Sequence, residues 1–295
     1  MSAAVREIVD RELARPVDPR VADMAAAIAA RHPDGAVAVL FYGSCLRQSE
    51  LDGLMLDFYL IVSSYRQAYG RGWLALANRL IPPNVFPFEH RGLVAKYAVL
   101  SEADLARECG PRARSVSVWA RFAQPARLVW AKDGAARGRT VVSVAQAAPT
   151  LFALTLPTMD WGRDDPVAIF RAGFALTYRA ELRAEKVDRS ADIVAADRDY
   201  YRRLGEAVLA ASTSPVQAPR AAMRGWRWRR RKGKALSVIR LAKASTTFAG
   251  GIDYLAWKIN RHASTAIEIK PWQRKWPLVA ALILLPRLLK RGAIR

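Results

Sequence analysis

Gly43, Ser44 and Asp57 are of types, and at a spacing, that can handle a phosphate chain together with a divalent cation. Gly43-Ser44 closes the apolar run "GAVAVLFYGS", and Asp57 lies inside a second run, "LMLDFYLIV". Glycine lets backbone come close to a polyphosphate. A serine hydroxyl and nearby amides donate to phosphate oxygens. A carboxylate on the adjacent strand can hold the metal that bridges the phosphates and screens their charge. Asp57 is the informative member, because its run lacks the alternation of a half-exposed strand. A carboxylate there needs a partner or a metal. The competing reading is a plain turn with Asp57 on a solvent-facing edge.

These residues need strands to carry them. Ala3 to Arg31 reads as helix, and the two runs above read as the first strands. Tyr65 to Arg79 is helical, and "IPPN" ends it. "LVAKYAVLS" is a third strand, Ser101 caps a following helix, and "RLVWA" is a further strand. This order predicts a small α/β domain with a mixed sheet and flanking helices over residues 1–140. Residues 141–219 read as a helical domain, and residues 220–295 as a basic C-terminal region.

Charge separates that last region from the rest. From Arg220 to Arg295 there are 19 Lys/Arg against Asp253 and Glu268, a net of +17 out of +21 for the 295-residue chain. Such a block favours a polyanion, either nucleic acid or an anionic membrane. The two cysteines, Cys45 and Cys109, offer no disulfide framework or metal-thiolate spacing. The N-terminus mixes acids and bases without an apolar core, so no signal peptide is expected. The longest apolar run, "WPLVAALILLP", is far short of the roughly 20 residues of a spanning helix. No transmembrane segment is expected.

Gly-Ser at a strand end, with Asp on the next strand, resembles the nucleotidyltransferase superfamily. That superfamily usually has a second acid two residues on, and here the position is Tyr59. The missing carboxylate would activate a hydroxyl nucleophile. A phosphate monoester, with a second pKa of about 6, is already ionised and needs no such base. The motif therefore leans toward an acceptor that is itself a phosphate.

More of the chain joins the resemblance. "YGSCLRQ", "MLDF", "PPNVF", "KYAVLS", "WARFAQPARLV", "LFALTLP", "YRAELRAEK" and "IRLAKASTTFAGGIDYLAWKI" occur in order. They resemble the mitochondrial translocator assembly and maintenance protein family, the peripheral type of phosphatidate cytidylyltransferase (CDP-diacylglycerol synthase). The resemblance implies a nucleotidyltransferase domain, then a helical, winged-helix-like domain and a membrane-associating C-terminal region. It implies that CTP and phosphatidic acid give CDP-diacylglycerol and pyrophosphate with Mg2+, in the phospholipid pathway toward cardiolipin. The alanine- and arginine-rich composition without a presequence suggests a bacterial-like member.

By the same resemblance, Gly43 and Ser44 contact the CTP phosphates and Asp57 binds the metal. Lys96 neutralises triphosphate charge as a catalytic partner. Gln48, Glu181 and Arg183 match positions on the nucleotide side, although Glu181 and Arg183 also suit a helix-surface ion pair. Asp52 is a candidate second metal ligand, with a loop carboxylate as the alternative. Cys45 and Ala98 stand where the family favours glycine. His90, near the third strand, is a candidate to line the cleft.

"GWRWRRRKGK" interleaves tryptophan with arginine, and "WPLVAALILLPRLLKR" sets an apolar segment beside basic residues, as an interfacial anchor does. The expected enzyme works peripherally at the cytoplasmic face of an anionic membrane, and nucleic acid is the less suited partner. A nucleotidyltransferase acting on RNA or another polar acceptor stays open at this stage. So does a non-catalytic basic membrane scaffold.

Overall fold

The computed structural model describes residues 2–247 except 49, 71, 161, 182–188 and 213–217. Arg183 and the apolar-basic terminal stretch lie outside the described residues. Five strands, β1 (Ala36–Tyr42), β2 (Met55–Val62), β3 (Asn84–His90), β4 (Leu93–Ser101) and β5 (Ala126–Ala131), form one sheet in the order β3-β4-β2-β1-β5. β2 and β4 are parallel, and the other neighbours are antiparallel. The first helices are α1 (Ala3–Leu13), α2 (Pro19–Ala30), α3 (Tyr65–Ala68) and α4 (Gly72–Leu80). Next come α5 (Glu102–Cys109), α6 (Ser117–Phe122), α7 (Gly134–Val144) and α8 (Ala147–Thr155). Last are α9 (Pro166–Ala180), α10 (Arg189–Ala195), α11 (Arg198–Ala210) and α12 (Pro219–Thr247). The architecture is α/β, a mixed sheet with flanking helices.

The unbroken apolar runs follow from burial of the sheet on both faces. Phe41, Leu56, Phe58 and Leu60 join Met24 and Ile28 of α2 on one face. Leu40, Tyr59, Ile61 and Leu100 join Trp119, Phe152, Phe170 and Tyr201 on the other. This second core runs without a break from Val5 to Trp226. The expected boundary at residue 140 falls inside α7, and the first two expected regions share that core.

The long N-terminal helix read from the sequence is two. α1 stops at Leu13 before Pro16, and Asp18 caps α2 with Pro19 in its first turn. The helix expected over 65–79 divides into α3 and α4 around Tyr69-Gly70. β3 was not anticipated, because Pro87 sits within it; as an edge strand paired only with β4, it tolerates the missing N–H. Among the described residues, one stretch, Gly134–Thr158, has the length and hydropathy of a membrane span, and 67% of its 18-residue apolar window is buried in the fold. It comprises α7, α8 and a short turn, so it serves as core.

α12 corrects a simple reading of the tryptophan-arginine stretch. Trp226 is only 4% exposed, donates Nε1–H to the Leu154 carbonyl at 2.8 Å, and meets Trp119 edge-on. Trp228 is 65% exposed. One indole is therefore core and its neighbour is surface. Gly233 lets α12 cross the end of α9 closely, since a Cβ there would lie 2.2 Å from the Ala180 carbonyl oxygen. Gly225 on the same helix would meet only the movable tip of Arg229.

These two glycines should respond oppositely to alanine. Gly225→Ala should stabilise by about 0.5–1 kcal/mol through helix propensity. Gly233→Ala should destabilise by about 1–3 kcal/mol through the backbone clash. Urea midpoints of the two variants test this, and equal stabilisation would contradict the close crossing.

Candidate functional site

Register brings the site together. Tyr42 of β1 pairs with Asp57 of β2, and Asp57 pairs with Lys96 of β4. Directly paired residues project to one face. Asp57 thus stands between a phenol and an ammonium at the end of the sheet. Lys96 Nζ is 2.8 Å from Asp57 Oδ1, and both side chains are about a quarter exposed. Oδ1 is shut off from solvent and accepts no hydrogen bond among the described residues, so the ammonium answers its charge from off the hydrogen-bonding direction.

The Gly43 turn closes over this carboxylate. Gly43 has φ +98°, a conformation that L side chains rarely adopt, and a Cβ there would be 3.2 Å from Asp57 Oδ2. Conformation is what favours glycine here, and a Cβ would also crowd the carboxylate. From Gly43 the chain enters a short 3-10 turn, Ser44–Arg47. Ser44 is exposed at its start, and Gln48 is exposed at its end. Cys45 is buried and directs Sγ toward the Met55 carbonyl at 3.5 Å. Burial, with the Asp57 charge adding to it, raises the thiol pKa. Cys45 therefore supports the turn as a protonated thiol.

Beneath Asp57 lies an aromatic floor. Tyr59, at the position where a second acid would stand, is buried with its ring centroid 5.1 Å from Tyr42 and 5.2 Å from Phe122. Burial raises both phenols, and the Asp57 charge further raises Tyr42. Both rings are uncharged at neutral pH. Arg121 of α6 reaches this floor. Burial opposes its charge, and the Glu181 and Asp57 carboxylates favour it. Glu181, buried just after α9, has Oε1 3.9 Å from Arg121 Nη1.

The predicted residues divide by location. Gly43, Asp57 and Lys96 are brought together, with Ser44 beginning the adjoining turn. Glu181 reaches the same face through Arg121. Asp52 is exposed and lies 3.3 Å from Arg20 of α2, the helix that covers the opposite face. His90 pairs with Asp23 of α2 at 2.8 Å, which also directs it to that side and away from the cleft. Ala98 packs in the core beside Tyr59. Among the described residues there is no group of three or more His, Cys, Asp or Glu able to hold a metal.

Sequence reading missed Arg121 and Arg240. Arg121 lies between buried Ala120 and Phe122, the same lone-charge signal that singled out Lys96. Arg240 of α12 donates to the Pro82 carbonyl at 2.9 Å and to Ser117 Oγ at 2.6 Å. Lys243 donates to the carbonyls of Ile81 and Pro83. These two cations, expected as part of a membrane-facing block, instead fasten α12 to the sheet domain. Burial, then repulsion from Arg240, lowers Lys243 to about 8.

A cavity of about 780 Å³ lies elsewhere, lined in part by Asp165, Arg171, Arg179, Asp192, Arg198 and Met223. Its walls are mainly apolar with opposed charges, and it offers no glycine turn for a phosphate chain. The Asp57 face is better equipped. Lys96, Arg121 and Arg240 outnumber Asp57 and Glu181, which leaves a positive excess for an anion. A magnesium ion fits this donor set, because Mg2+ commonly takes one or two carboxylates and completes its shell with substrate phosphates and water. The glycine cradle over Oδ2, the carboxylate oxygen that Lys96 does not pair, supports that fit. Among known proteins, no family model and no curated protein matches the chain.

Two predictions follow from this geometry. Asp57→Asn should weaken any magnesium-dependent binding of a nucleoside triphosphate about tenfold or more, while the fold persists; calorimetry with and without magnesium reads this. Lys243 has a lower pKa folded than unfolded, so the unfolded chain binds more protons between about 8 and its usual 10.5. Stability from this group should rise with pH through that window. The difference in melting temperature between wild type and Lys243→Met should shift in favour of wild type from pH 7 to pH 10. A pH-independent difference would contradict the dock.

Proposed function

We propose that this protein is a nucleotidyltransferase that moves CMP from CTP to phosphatidic acid at a membrane surface, releasing pyrophosphate. The observation that carries the reading is the Gly43 turn closing on Asp57 beside Lys96, with buried Tyr59 in place of a second acid. The turn and Ser44 hydroxyl offer donors to the triphosphate. Lys96 screens its charge, and Arg121 adds positive potential from below. A magnesium ion held by Asp57 supplies charge neutralisation when bound.

The residues position two anions for in-line displacement. An oxygen of the phosphatidate headgroup attacks the α-phosphorus of CTP. The new P–O bond forms as the bond to the bridging α–β oxygen breaks, and pyrophosphate carries away that electron pair. The attacking monoester is largely a dianion at neutral pH, so no general base is required. Tyr59, uncharged and shut in its floor, is compatible with such an acceptor and unsuited to activating a hydroxyl.

The mixed sheet fits a nucleotidyltransferase fold, and the helices after α7 fit the helical, winged-helix-like domain of the resembled family. The exposed cations of α12 fit a peripheral position on an anionic membrane at its cytoplasmic side.

Labelled CTP with phosphatidate vesicles and magnesium should yield lipid-linked CMP. RNA in place of the vesicles should remain unlabelled, and Asp57→Asn should abolish turnover. Label entering RNA, or full turnover by Asp57→Asn, would overturn the assignment.

A further inference from the structure

α4 turns apolar side chains to both sides, and Leu74 and Ala75 pack inward against the core. Its inward side carries Asn78, fully buried, whose Nδ2 donates to the Val99 carbonyl at 2.9 Å and whose Oδ1 accepts from the Asn84 backbone. Asn84 Nδ2 in turn donates to the Leu74 carbonyl at 3.1 Å. This polar staple fixes the helix on β3 and β4. Its outward side presents Trp73 at 52%, Leu76 at 58% and Leu80 at 66% exposure. At steps of three and four residues these lie on one helical face. Trp73, Leu76 and Leu80 therefore form a second apolar face beyond the one the core already takes up, and such an exposed face marks a contact surface.

Charge indicates what that surface meets. α4 carries Arg79 and no acid. At its end, the Ile81, Pro82 and Pro83 carbonyls receive Arg240 and Lys243, which fastens α12 next to it. α12 has no acidic residue and exposes Arg220, Arg224, Arg227, Arg230, Arg231, Lys232 and Lys234. So strong a positive charge opposes docking of a second copy. An apolar face of one tryptophan and two leucines beside a cationic helix matches an anionic bilayer, in which the apolar groups enter the acyl boundary and the cations meet headgroups.

We propose that Trp73, Leu76 and Leu80 insert into an anionic phospholipid bilayer, so that the sheet domain itself, through α4, rests on the membrane. This deepens the lipid-acceptor reading, on which its purpose rests. The staple ties α4 to β4, the strand that carries Lys96. α4 covers the face of the sheet opposite Asp57, with Leu74 and Ala75 against the core around Val99, so insertion fixes how the sheet domain stands on the surface that holds the acceptor.

The test uses the full chain with Leu76→Cys carrying an environment-sensitive dye; Cys45 and Cys109 are buried and spare from labelling. Phosphatidylcholine vesicles containing phosphatidate and brominated acyl chains should shift the dye to the blue and quench it. The same dye at Arg202→Cys on α11 should not respond. An unquenched dye at position 76, in protein that sediments with the vesicles or not, overturns the proposal. So does a blue shift without vesicles that grows with protein concentration, which means a second copy.

A second variant, Leu76→Glu/Leu80→Glu, should melt as wild type does and keep transfer to a short-chain, monomeric phosphatidate. Its transfer to vesicles should fall about tenfold or more. Equal transfer to vesicles by variant and wild type overturns the insertion. If wild type transfers CMP to neither lipid form, the enzymatic reading fails, and the quenching at position 76 still decides the contact.

Discussion

A carboxylate held at the mouth of a sheet buried on both faces is the constraint around which this protein is arranged. Asp57 sits in a run otherwise committed to the core, and desolvating its charge there is unfavourable without compensation. Lys96 supplies an opposite charge from the next strand, and the parallel β2–β4 register places it. Gly43 closes over the other carboxylate oxygen with a backbone that a larger residue would adopt only under strain. Tyr42, Tyr59 and Phe122 seal the space below. The result concentrates charge on one accessible edge, where the proposed polyphosphate and its cation would be received.

The second half of the chain supports that edge. Glu181 follows α9, and Arg121 stands between it and the floor. α12 crosses α9 at Gly233, buries Trp226 in the second core, and ends with Arg240 and Lys243 on the carbonyls that follow α4. A helix rich in arginine is thereby divided by its geometry. Some cations are structural, and the rest remain on the surface. The continuous core from Val5 to Trp226 joins α12 to the floor beneath Asp57.

Much of this was legible in the residues. β1, β2, β4 and β5 announced themselves as apolar runs, because burial on both faces removes alternation. Asp57 and Lys96 were conspicuous as single charges in such runs. β3 was hidden by Pro87, a residue that only an edge strand accommodates. Arg121 carried the same signal as Lys96, but short α6 has too few residues for a clear period. In α12 the abundance of arginine masked the inward stripe of Trp226, Gly233, Arg240 and Lys243, which periodicity alone could have traced. Asp52 looked like a ligand by proximity in sequence, yet Arg20 draws it to α2. The buried side of α4 was hard to read because Asn78 reads as a surface residue until its partners, Val99 and Asn84, are in place.

The central claim is that Asp57 grips a nucleotide-bound cation beneath the Gly43 turn. Crystals grown with CTP and manganese, whose anomalous scattering marks the metal, test it most directly. The account predicts a peak within coordination distance of the Asp57 carboxylate, with the triphosphate along Gly43 and Ser44 and close to Lys96. A nucleotide seated instead in the cavity between Arg171 and Arg198, or a metal bound away from Asp57, would contradict it.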